Sequence, residues 1–260
     1  MSAGADPIVR LAGVAKRFGA RTILDGLDLA VPRGTNYVIM GPSGTGKSVT
    51  LKIMSGLLAP DAGSVEIDGV RIEGGSRRAL RQARERLGFV FQGAALINWM
   101  SARDNVALPL RERGVPEGEI RATVDRRLAE VGLADIGDKF PSELSGGMRK
   151  RVGFARAVVL EPSLVLYDEP TTGLDPVTTR IVDELVIGAR DRHGATGVVV
   201  SHDVGSALRV ADRIGVLDGG RIAIELTPDE FLRSTHPVVR SFLADQPAPR
   251  ETRPPERSAP

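Results

Sequence analysis

The sequence predicts an α/β fold built around a parallel sheet, and three observations support this prediction. Residues 164–167 and 197–201 are continuous apolar runs, which are typical of strands buried on both faces of a parallel sheet. Residues 176–192, between these runs, have helical spacing, so strand, helix and strand follow one another. A third apolar run, 36–40, enters a glycine-rich turn that precedes another helical pattern.

The remaining segments add a β-rich opening and a helical insert. Alternating or short apolar runs indicate strands over 8–14, 22–31, 63–68 and 87–91. Residues 104–112 and 117–131 have helical spacing, with Pro116 just ahead of the second helix. We therefore expect a helical insert over about residues 93–160. Residues 214–217 and 221–225, on either side of Asp218-Gly219-Gly220, predict a closing hairpin.

The composition excludes several classes of protein. The chain has 260 residues, with 42% apolar and 26% charged side chains, as in an ordinary globular protein. The longest stretch without a charge, 87–102, is shorter than the ~20 apolar residues of a membrane span, and we find no secretion signal. Cysteine is missing, which excludes disulfides and thiolate chemistry. From the lack of a span and a signal we expect a cytosolic protein. Because basic and acidic residues are interspersed and the net charge is +2, we expect that it does not bind nucleic acid.

One segment matches the pattern of a phosphate-binding loop, in which two glycines bracket four residues before Lys and Ser. It consists of Gly41, Pro42, Ser43, Gly44, Thr45, Gly46, Lys47 and Ser48. Glycines let backbone N–H groups surround the β- and γ-phosphates of a nucleotide, and the positive end of the following helix points at them. We predict that Lys47 adds a positive charge there and that Ser48 reaches Mg²⁺.

Two adjacent carboxylates, Asp168 and Glu169, end the apolar run 164–167. Successive residues of a strand point to opposite faces, so the two side chains can have different roles. We predict that Asp168 lies toward the metal ion and that Glu169 lies toward the water that attacks the γ-phosphate.

The string Leu144-Ser145-Gly146-Gly147-Met148 matches the LSGGQ signature of ABC-type ATPases at four of five positions. With the phosphate loop, it makes the chain resemble that family over residues ~8–243. Ser145 is suited to cap a helix, and the glycine N–H groups can form a second anion site. An apolar stripe, Met148, Val152, Ala155 and Val159, would anchor the helix. For most of its cationic residues, Arg149, Lys150, Arg151 and Arg156, we expect a solvated face.

The resemblance implies a P-loop NTPase core of ABC type, with an N-terminal antiparallel β-subdomain and an inserted α-helical subdomain. It implies an ATPase domain over residues 1–245, followed by a Pro- and Arg-rich disordered tail over 246–260. It also implies ATP and Mg²⁺ as ligands. In this family, the signature residues Ser145, Gly146 and Gly147 close on ATP held by a second subunit, so the working unit is expected to be a dimer, here a homodimer.

Four more residues match the family by order and spacing. Gln92 resembles the glutamine that contacts Mg²⁺ and transmits to the membrane partner, and Asp175 resembles the aspartate of the dimer interface. His202, after the run 197–201, resembles the histidine that senses the γ-phosphate. Phe18 stands where the family has an aromatic residue that stacks on adenine, with strand packing as the alternative.

Two classes of function follow from the resemblance: the ATPase of a membrane transporter, or a soluble ATPase of DNA maintenance, translation or iron–sulfur assembly. DNA-maintenance relatives have long coiled-coil interruptions, and translation factors have two ATPase units. This chain has one unit and about 50 residues between Gln92 and Leu144. Iron–sulfur assembly therefore remains as the soluble alternative.

Within transport, residues 92–96, 104–110, 148–157 and 227–243 resemble Mce/Mla-type ATPases, which serve lipid traffic in the bacterial envelope. This resemblance implies integral-membrane permease partners, a peripheral position on the inner face of the cell membrane, and phospholipid or another lipid as cargo. Residues 97–100 depart from the pattern and leave the permease's identity open. An importer of a small polar solute is the alternative. We expect Trp99 to lie at the permease contact, with internal packing as the other possibility.

Overall fold

The computed structural model describes residues 6–74 and 77–244. The strands in these ranges are β1 (Val9–Phe18), β2 (Arg21–Val31), β3 (Asn36–Met40), β4 (Ala62–Ile67), β5 (Val70–Arg71), β6 (Leu87–Val90), β7 (Leu164–Asp168), β8 (Thr196–Val200), β9 (Arg213–Asp218) and β10 (Arg221–Leu226). The α-helices are α1 (Lys47–Met54), α2 (Arg77–Arg84), α3 (Ala102–Glu112), α4 (Glu117–Glu130), α5 (Gly146–Val158), α6 (Pro176–His193), α7 (Val204–Val210), α8 (Pro228–Arg233) and α9 (Pro237–Ala244).

The larger sheet has the strand order β10-β9-β3-β8-β7-β6. Its neighbouring strands are parallel, except for the antiparallel pair β10 and β9 that forms the closing hairpin. β3, β7 and β8 are buried along their whole length. Burial on both faces explains their continuous apolar runs, and the predicted parallel sheet is confirmed.

The two faces of this sheet contribute to two separate cores. In β7, Val165 and Tyr167 pack on the side of α3–α6, whereas Leu164 and Leu166 pack on the side of α1. The second core also contains residues from the smaller sheet, whose strand order is β2-β1-β4-β5 and whose strands are antiparallel. The phosphate loop and α1 therefore lie between the two sheets. This arrangement confirms the predicted fold class.

A group of helices lies between β6 and β7. It consists of α3, α4 and α5, with a 3₁₀ turn over Pro141–Glu143 before α5. Val106 of α3, Val124 of α4 and Val152 of α5 are fully buried and belong to one core cluster. The cluster fixes α5 to the other two helices and thereby directs its N-terminus.

The sequence did not predict β5, α2 or α7, and β1 runs four residues further than expected, to Phe18. α2 has only eight residues, of which four are arginines, and its apolar face is short, so the segment did not stand out. α7 has seven residues, too few to show a helical period. Within the described ranges, none of the helices has the length and apolar character needed to span a bilayer. The predicted tail, 246–260, lies outside the described residues.

Candidate active site

The phosphate loop joins β3 to α1, and its shape depends on close approaches to glycine. Gly46 has a φ of 107°, in the left-handed region that other L-residues rarely adopt. A β-carbon on Gly46 would lie 2.9 Å from Ile23 Cγ2, and one on Gly41 would lie 2.5 Å from the carbonyl oxygen of Leu217. Neighbouring elements thus leave space only for glycine. α1 starts at Lys47, so its positive end is directed at the loop.

Lys47 is buried against its own loop. Its ammonium donates to the carbonyl oxygens of Gly41 at 2.7 Å and Pro42 at 3.1 Å. Burial lowers the pKa of Lys47, and the carboxylates of Glu169 and Asp168 oppose this effect. The ammonium is therefore already desolvated, and a phosphate would be a stronger acceptor than the two carbonyls.

Asp168, the last residue of β7, faces the second residue of α1. Ser48 Oγ donates to Asp168 Oδ1 at 2.7 Å. A hydroxyl and a carboxylate oxygen are ligands that Mg²⁺ prefers, so the pair fits this ion beside the phosphate loop. No cluster of three His, Cys, Asp or Glu suited to a metal is found in residues 6–74 and 77–244. A metal ion here would therefore need further oxygen ligands, from phosphate or water.

Glu169 follows β7 and has a φ of 51°, which is unusual for glutamate. Its backbone N–H donates to the carbonyl oxygen of Val200 at 3.0 Å. Its carboxylate oxygen Oε2 accepts a hydrogen bond from Thr172 Oγ1 at 2.8 Å and lies 2.7 Å from His202 Nδ1. The two adjacent carboxylates thus have different partners, because Asp168 contacts α1 and Glu169 contacts the residues after β8.

Lys47, Ser48, Glu169 and His202 line a cavity of about 520 Å³, a volume within the usual range for small-molecule sites, whereas Asp168 does not line it. The lining includes predicted residues from five separate parts of the chain: Phe18, Ser43, Gly44, Gly46, Lys47, Ser48, Gln92, Glu169 and His202. The loop residues Gly41, Pro42 and Thr45 do not line the cavity. Thr45 Oγ1 donates to the carbonyl oxygen of Pro42 at 2.8 Å, within the loop. Phe18 remains 51% exposed at the cavity edge.

The signature residues and Asp175 do not line this cavity. Ser145 caps α5, since its Oγ accepts a hydrogen bond from the N–H of Met148 at 3.2 Å. Gly147 lies against α6, where an added β-carbon would be 2.7 Å from Thr178 Cγ2. Asp175 caps α6 by accepting from the N–H of Thr178 at 3.0 Å, and the hydrogen bond from the Thr178 hydroxyl lowers the pKa of Asp175. Ser145 and Gly146, at the start of α5, are exposed.

The expectation that the cationic residues of α5 face solvent is wrong for three of the four. Lys150 donates to carbonyl oxygens in the segment 169–172. Arg151 donates to the carbonyl oxygen of Val131 at 2.9 Å, and Arg156 to that of Ala94 at 2.9 Å. Burial lowers the pKa of all three cations. Carbonyl oxygens at loops and helix ends need donors, and these long side chains reach them.

Several residues of the site were not predicted from the sequence, among them Arg21, Thr172 and Lys150. Arg21 lines the cavity, and its Nη2 atom lies 3.5 Å from the carbonyl oxygen of Gly44. Thr172 donates to Glu169, and Lys150 donates to the carbonyl oxygens around it. Arg21 and Lys150 have no spacing signal, because folding alone brings them to the site. Thr172 stands three residues after Glu169, which is the one local signal that could have been used.

The arrangement suits a bound nucleoside triphosphate. A helix N-terminus and a buried lysine favour the phosphates, while Ser48 and Asp168 provide oxygen ligands on one side. Glu169 and His202 lie across the same cavity, where a carboxylate can orient a water molecule. The aromatic side chain of Phe18 offers an apolar edge for a base.

Comparison with known proteins supports this interpretation. The family model for "ABC transporter" matches residues 24–172. The chain is 43% identical over 236 residues to the probable ribonucleotide transport ATP-binding protein mkl of Mycobacterium tuberculosis, covering 90% of this chain and 66% of that protein. It is 41% identical over 246 residues to the intermembrane phospholipid transport system ATP-binding protein MlaF of Escherichia coli K12, covering 93% and 91%. It is also 43% identical over 244 residues to the methionine import ATP-binding protein MetN of Rhodopseudomonas palustris, covering 91% and 66%.

This chain is also similar to a solved structure of an ATP-binding cassette. The structure of the ATP-binding cassette MJ0796 is similar to this chain, with a TM-score of 0.79 and 33% identity, covering 85% of this chain and 98% of that one. It is described as the dimeric structure of a post-hydrolysis state bound to ADP and Pi. The identities and the coverage of this chain are high enough to establish common descent. The chain therefore belongs to the ABC transporter family, as an ATP-binding cassette of the kind that hydrolyses ATP.

Proposed function

We propose that this protein binds ATP with Mg²⁺ in the 520 Å³ cavity and hydrolyses it to drive a membrane transporter. The β- and γ-phosphates would lie on the N–H groups of the loop 41–48, with Lys47 turning from its own carbonyl oxygens to the phosphates. Phe18 would stack on the adenine ring, because it is exposed and lies at the cavity edge.

Mg²⁺ would be held by Ser48, Asp168 and Gln92. The bond between Ser48 and Asp168 brings two oxygen ligands together, and Gln92 lines the same cavity. When bound, the ion neutralises negative charge on the phosphates. The chain's own contribution is to hold Ser48 in α1, Asp168 at the end of β7 and Gln92 after β6, near the carboxyl ends of the parallel strands.

Glu169 would orient and deprotonate the attacking water, with His202 beside it as the residue nearest to the γ-phosphate. The contact between His202 Nδ1 and Glu169 Oε2, at 2.7 Å, carries this assignment. The other oxygen of the Glu169 carboxylate, Oε1, remains available, because no hydrogen bond to it is found in the described part of the chain. A general base needs such a free oxygen within reach of water.

A complete site would need two copies of the chain. The exposed start of α5 does not line the cavity of its own chain. Its N-terminal N–H groups, at Ser145, Gly146 and Gly147, would suit an anion. In a homodimer they would close on the γ-phosphate held by the partner, with Asp175 at the interface. The dimeric description of MJ0796 supports this proposal.

The cargo we propose is phospholipid or another lipid, moved by permease subunits to which this protein binds on the inner face of the cell membrane. The likeness to MlaF carries this proposal, since it extends over 93% of this chain and 91% of that protein. The likeness to MetN favours a second candidate, import of a small polar solute. The chain spans 66% of the length of mkl and of MetN.

The loop around Trp99 would form part of the permease contact. Trp99 is 81% exposed, while Asn105 beneath it is fully buried. Asn105 Nδ2 donates to the carbonyl oxygens of Ile97, Met100 and Ser101 at 3.0 to 3.1 Å. The loop is thus rigid although its tryptophan has little packing, and exposed aromatic residues on rigid supports are effective anchors for a partner.

A groove next to this loop offers further space for a permease segment. Two adjoining cavities, of about 380 and 670 Å³, share an apolar floor that includes Leu87, Pro109 and Leu160. The charged lining of the larger cavity is mainly basic, with Arg77, Arg81, Arg84 and Arg113 beside Glu85 and Glu112. An apolar segment with acidic side chains would complement this groove.

The experiment that tests the cargo is purification of the tagged protein from its native membrane in mild detergent. We expect permease subunits and bound phospholipid to co-purify, and ATP turnover of the complex in liposomes to move labelled phospholipid. Turnover stimulated by a polar solute and indifferent to lipid would favour the second candidate. Purification without any membrane protein would contradict both.

A further inference from the structure

Lys150 connects the helix that begins with the signature residues to the loop that carries Glu169. Its ammonium donates to the carbonyl oxygens of Thr172 at 2.6 Å, Pro170 at 3.0 Å and Glu169 at 3.5 Å. An ammonium group has three protons, so these three acceptors satisfy it completely. All three carbonyls belong to one short segment, 169–172.

The shape of this segment depends on a small number of hydrogen bonds. Glu169 is in the left-handed region with a φ of 51°, a conformation that persists only where the surroundings enforce it. Pro170 has no N–H with which to form a backbone hydrogen bond. Within the segment, the N–H of Thr172 donates to the carbonyl oxygen of Glu169 at 3.3 Å. The ammonium of Lys150 adds its hydrogen bonds to these and to that of the Glu169 N–H, which donates to the carbonyl oxygen of Val200 at 3.0 Å.

The constraint reaches the carboxylate of Glu169 through Thr172. Lys150 holds the Thr172 carbonyl oxygen, and the Thr172 hydroxyl in turn donates to Glu169 Oε2 at 2.8 Å. This is the same oxygen that lies 2.7 Å from His202 Nδ1. A shift of Thr172 would thus change the direction of the carboxylate relative to His202.

The other cations of α5 bind elsewhere. Arg149 donates to the carbonyl oxygen of Leu144, Arg151 to that of Val131, and Arg156 to those of Ala94 and Ala95. Among the described side chains of α5, Lys150 is the one whose hydrogen bonds reach the segment 169–172. It lies one turn beyond Gly147, on the same helix whose start would meet the partner's nucleotide.

We propose that Lys150 is a positioning residue for hydrolysis, which fixes the segment 169–172 from the signature helix and so aims the carboxylate of Glu169. This inference rests on the proposed role of Glu169 as the general base. In the dimer, it would connect the helix that serves one nucleotide to the carboxylate that serves the other.

The test compares Lys150→Met with wild type in ATP turnover by the purified protein. Methionine keeps an unbranched apolar stem and removes the three donors. We expect kcat to fall about tenfold or more with a KM for ATP within about twofold of wild type, because a misdirected base slows the chemical step and not binding. Lys150→Arg, which keeps the charge and several donors, should recover part of the loss. Arg151→Met, on the same helix but bound to Val131, is the matched control and should retain kcat within about threefold.

A double variant separates positioning from a general structural effect. In a Glu169→Gln background, Lys150→Met should cause no further loss of turnover, since the group it positions is already gone. An equal loss of kcat and of nucleotide affinity, or additive losses in the double variant, would overturn the inference. If Lys150→Met keeps the kcat of wild type while Glu169→Gln is inactive, the positioning role of Lys150 is overturned, but the role of Glu169 as the base is not. Wild-type kcat in Glu169→Gln would instead overturn the role of Glu169 itself. If Lys150→Met does not fold, Lys150→Ala, which also removes the donors, replaces it with the same expected results.

Discussion

His202 Nδ1 lies 2.7 Å from Glu169 Oε2, and this contact joins the residues that follow two neighbouring parallel strands, β7 and β8. The same oxygen accepts a hydrogen bond from Thr172. The carboxylate is thus held from two sides by one of its oxygens. This geometry leads to separate expectations for binding and for hydrolysis.

Replacement of His202 by alanine should slow turnover without a comparable loss of ATP affinity. The imidazole orients the carboxylate of Glu169 and faces the cavity, so its loss affects the reacting groups more than the phosphate loop. We expect kcat to fall by about 10- to 100-fold, measured by phosphate release at saturating ATP. His193→Ala is the control, because His193 ends α6 and does not line the cavity. A fall in affinity as large as the fall in kcat would contradict this role.

ATP affinity should decrease at alkaline pH. Burial lowers the pKa of Lys47 in the free protein, so its charge is lost at a lower pH than in an ordinary lysine. Bound phosphate favours the charged form and raises that pKa again. The dissociation constant should therefore increase as pH rises through the interval between the two pKa values. Calorimetric titration of Glu169→Gln with ATP from pH 7 to 10.5 measures this, and an affinity that stays constant over the whole range would contradict it.

The same titration has an internal control in Lys47→Arg. A guanidinium group stays charged throughout that pH range. The affinity of Lys47→Arg for ATP should be lower than that of the parent at neutral pH, because the arginine side chain has a different shape. This affinity should not change with pH. A parallel decrease in both variants would indicate that another group titrates.

Two subunits should share each active site. Lys47→Ala damages the phosphate loop and Ser145→Arg damages the signature end, so a mixed dimer of the two contains one intact composite site. Each variant alone should be nearly inactive, and mixing them should restore part of the turnover. Mixing each variant with itself is the control. Full activity of the Ser145→Arg homodimer would exclude a role for the start of α5.

Trp99 should contribute to partner binding and little to folding. Because its side chain is 81% exposed, Trp99→Ala should change the free energy of unfolding by less than ~1 kcal/mol, whereas a buried tryptophan would contribute ~3–5 kcal/mol. It should weaken co-purification with the permease. Trp99 is the only tryptophan, so its fluorescence should be red-shifted in the isolated protein and move to the blue on assembly. Emission that stays red in the complex would place the contact elsewhere.

Much of the fold could be predicted because its central strands are locally distinctive. β3, β7 and β8 are continuous apolar runs, and Lys47, Asp168 and Glu169 stand at fixed positions beside them. α2 was not predicted, because the helix is short, half of its residues are arginines, and its apolar face has few residues.

The contacts that refine the site come from residues distant in sequence. Lys150 is 22 residues before Thr172, and both were missed although each contacts the Glu169 segment. Lys150 was expected in solvent because charged residues on a helix usually are. Its burial depends on the packing of α5 against the end of β7, which no local pattern encodes.

The measurement that tests the account most directly is ATP binding and turnover by Glu169→Gln. Glutamine keeps the shape of the side chain but is a very weak base, so binding at the phosphate loop should be unaffected. We predict an ATP affinity within about threefold of wild type, a stable ATP-bound dimer in size-exclusion chromatography, and a kcat reduced by about 10²- to 10⁴-fold. Turnover within about threefold of wild type would contradict the assignment of Glu169 as the base.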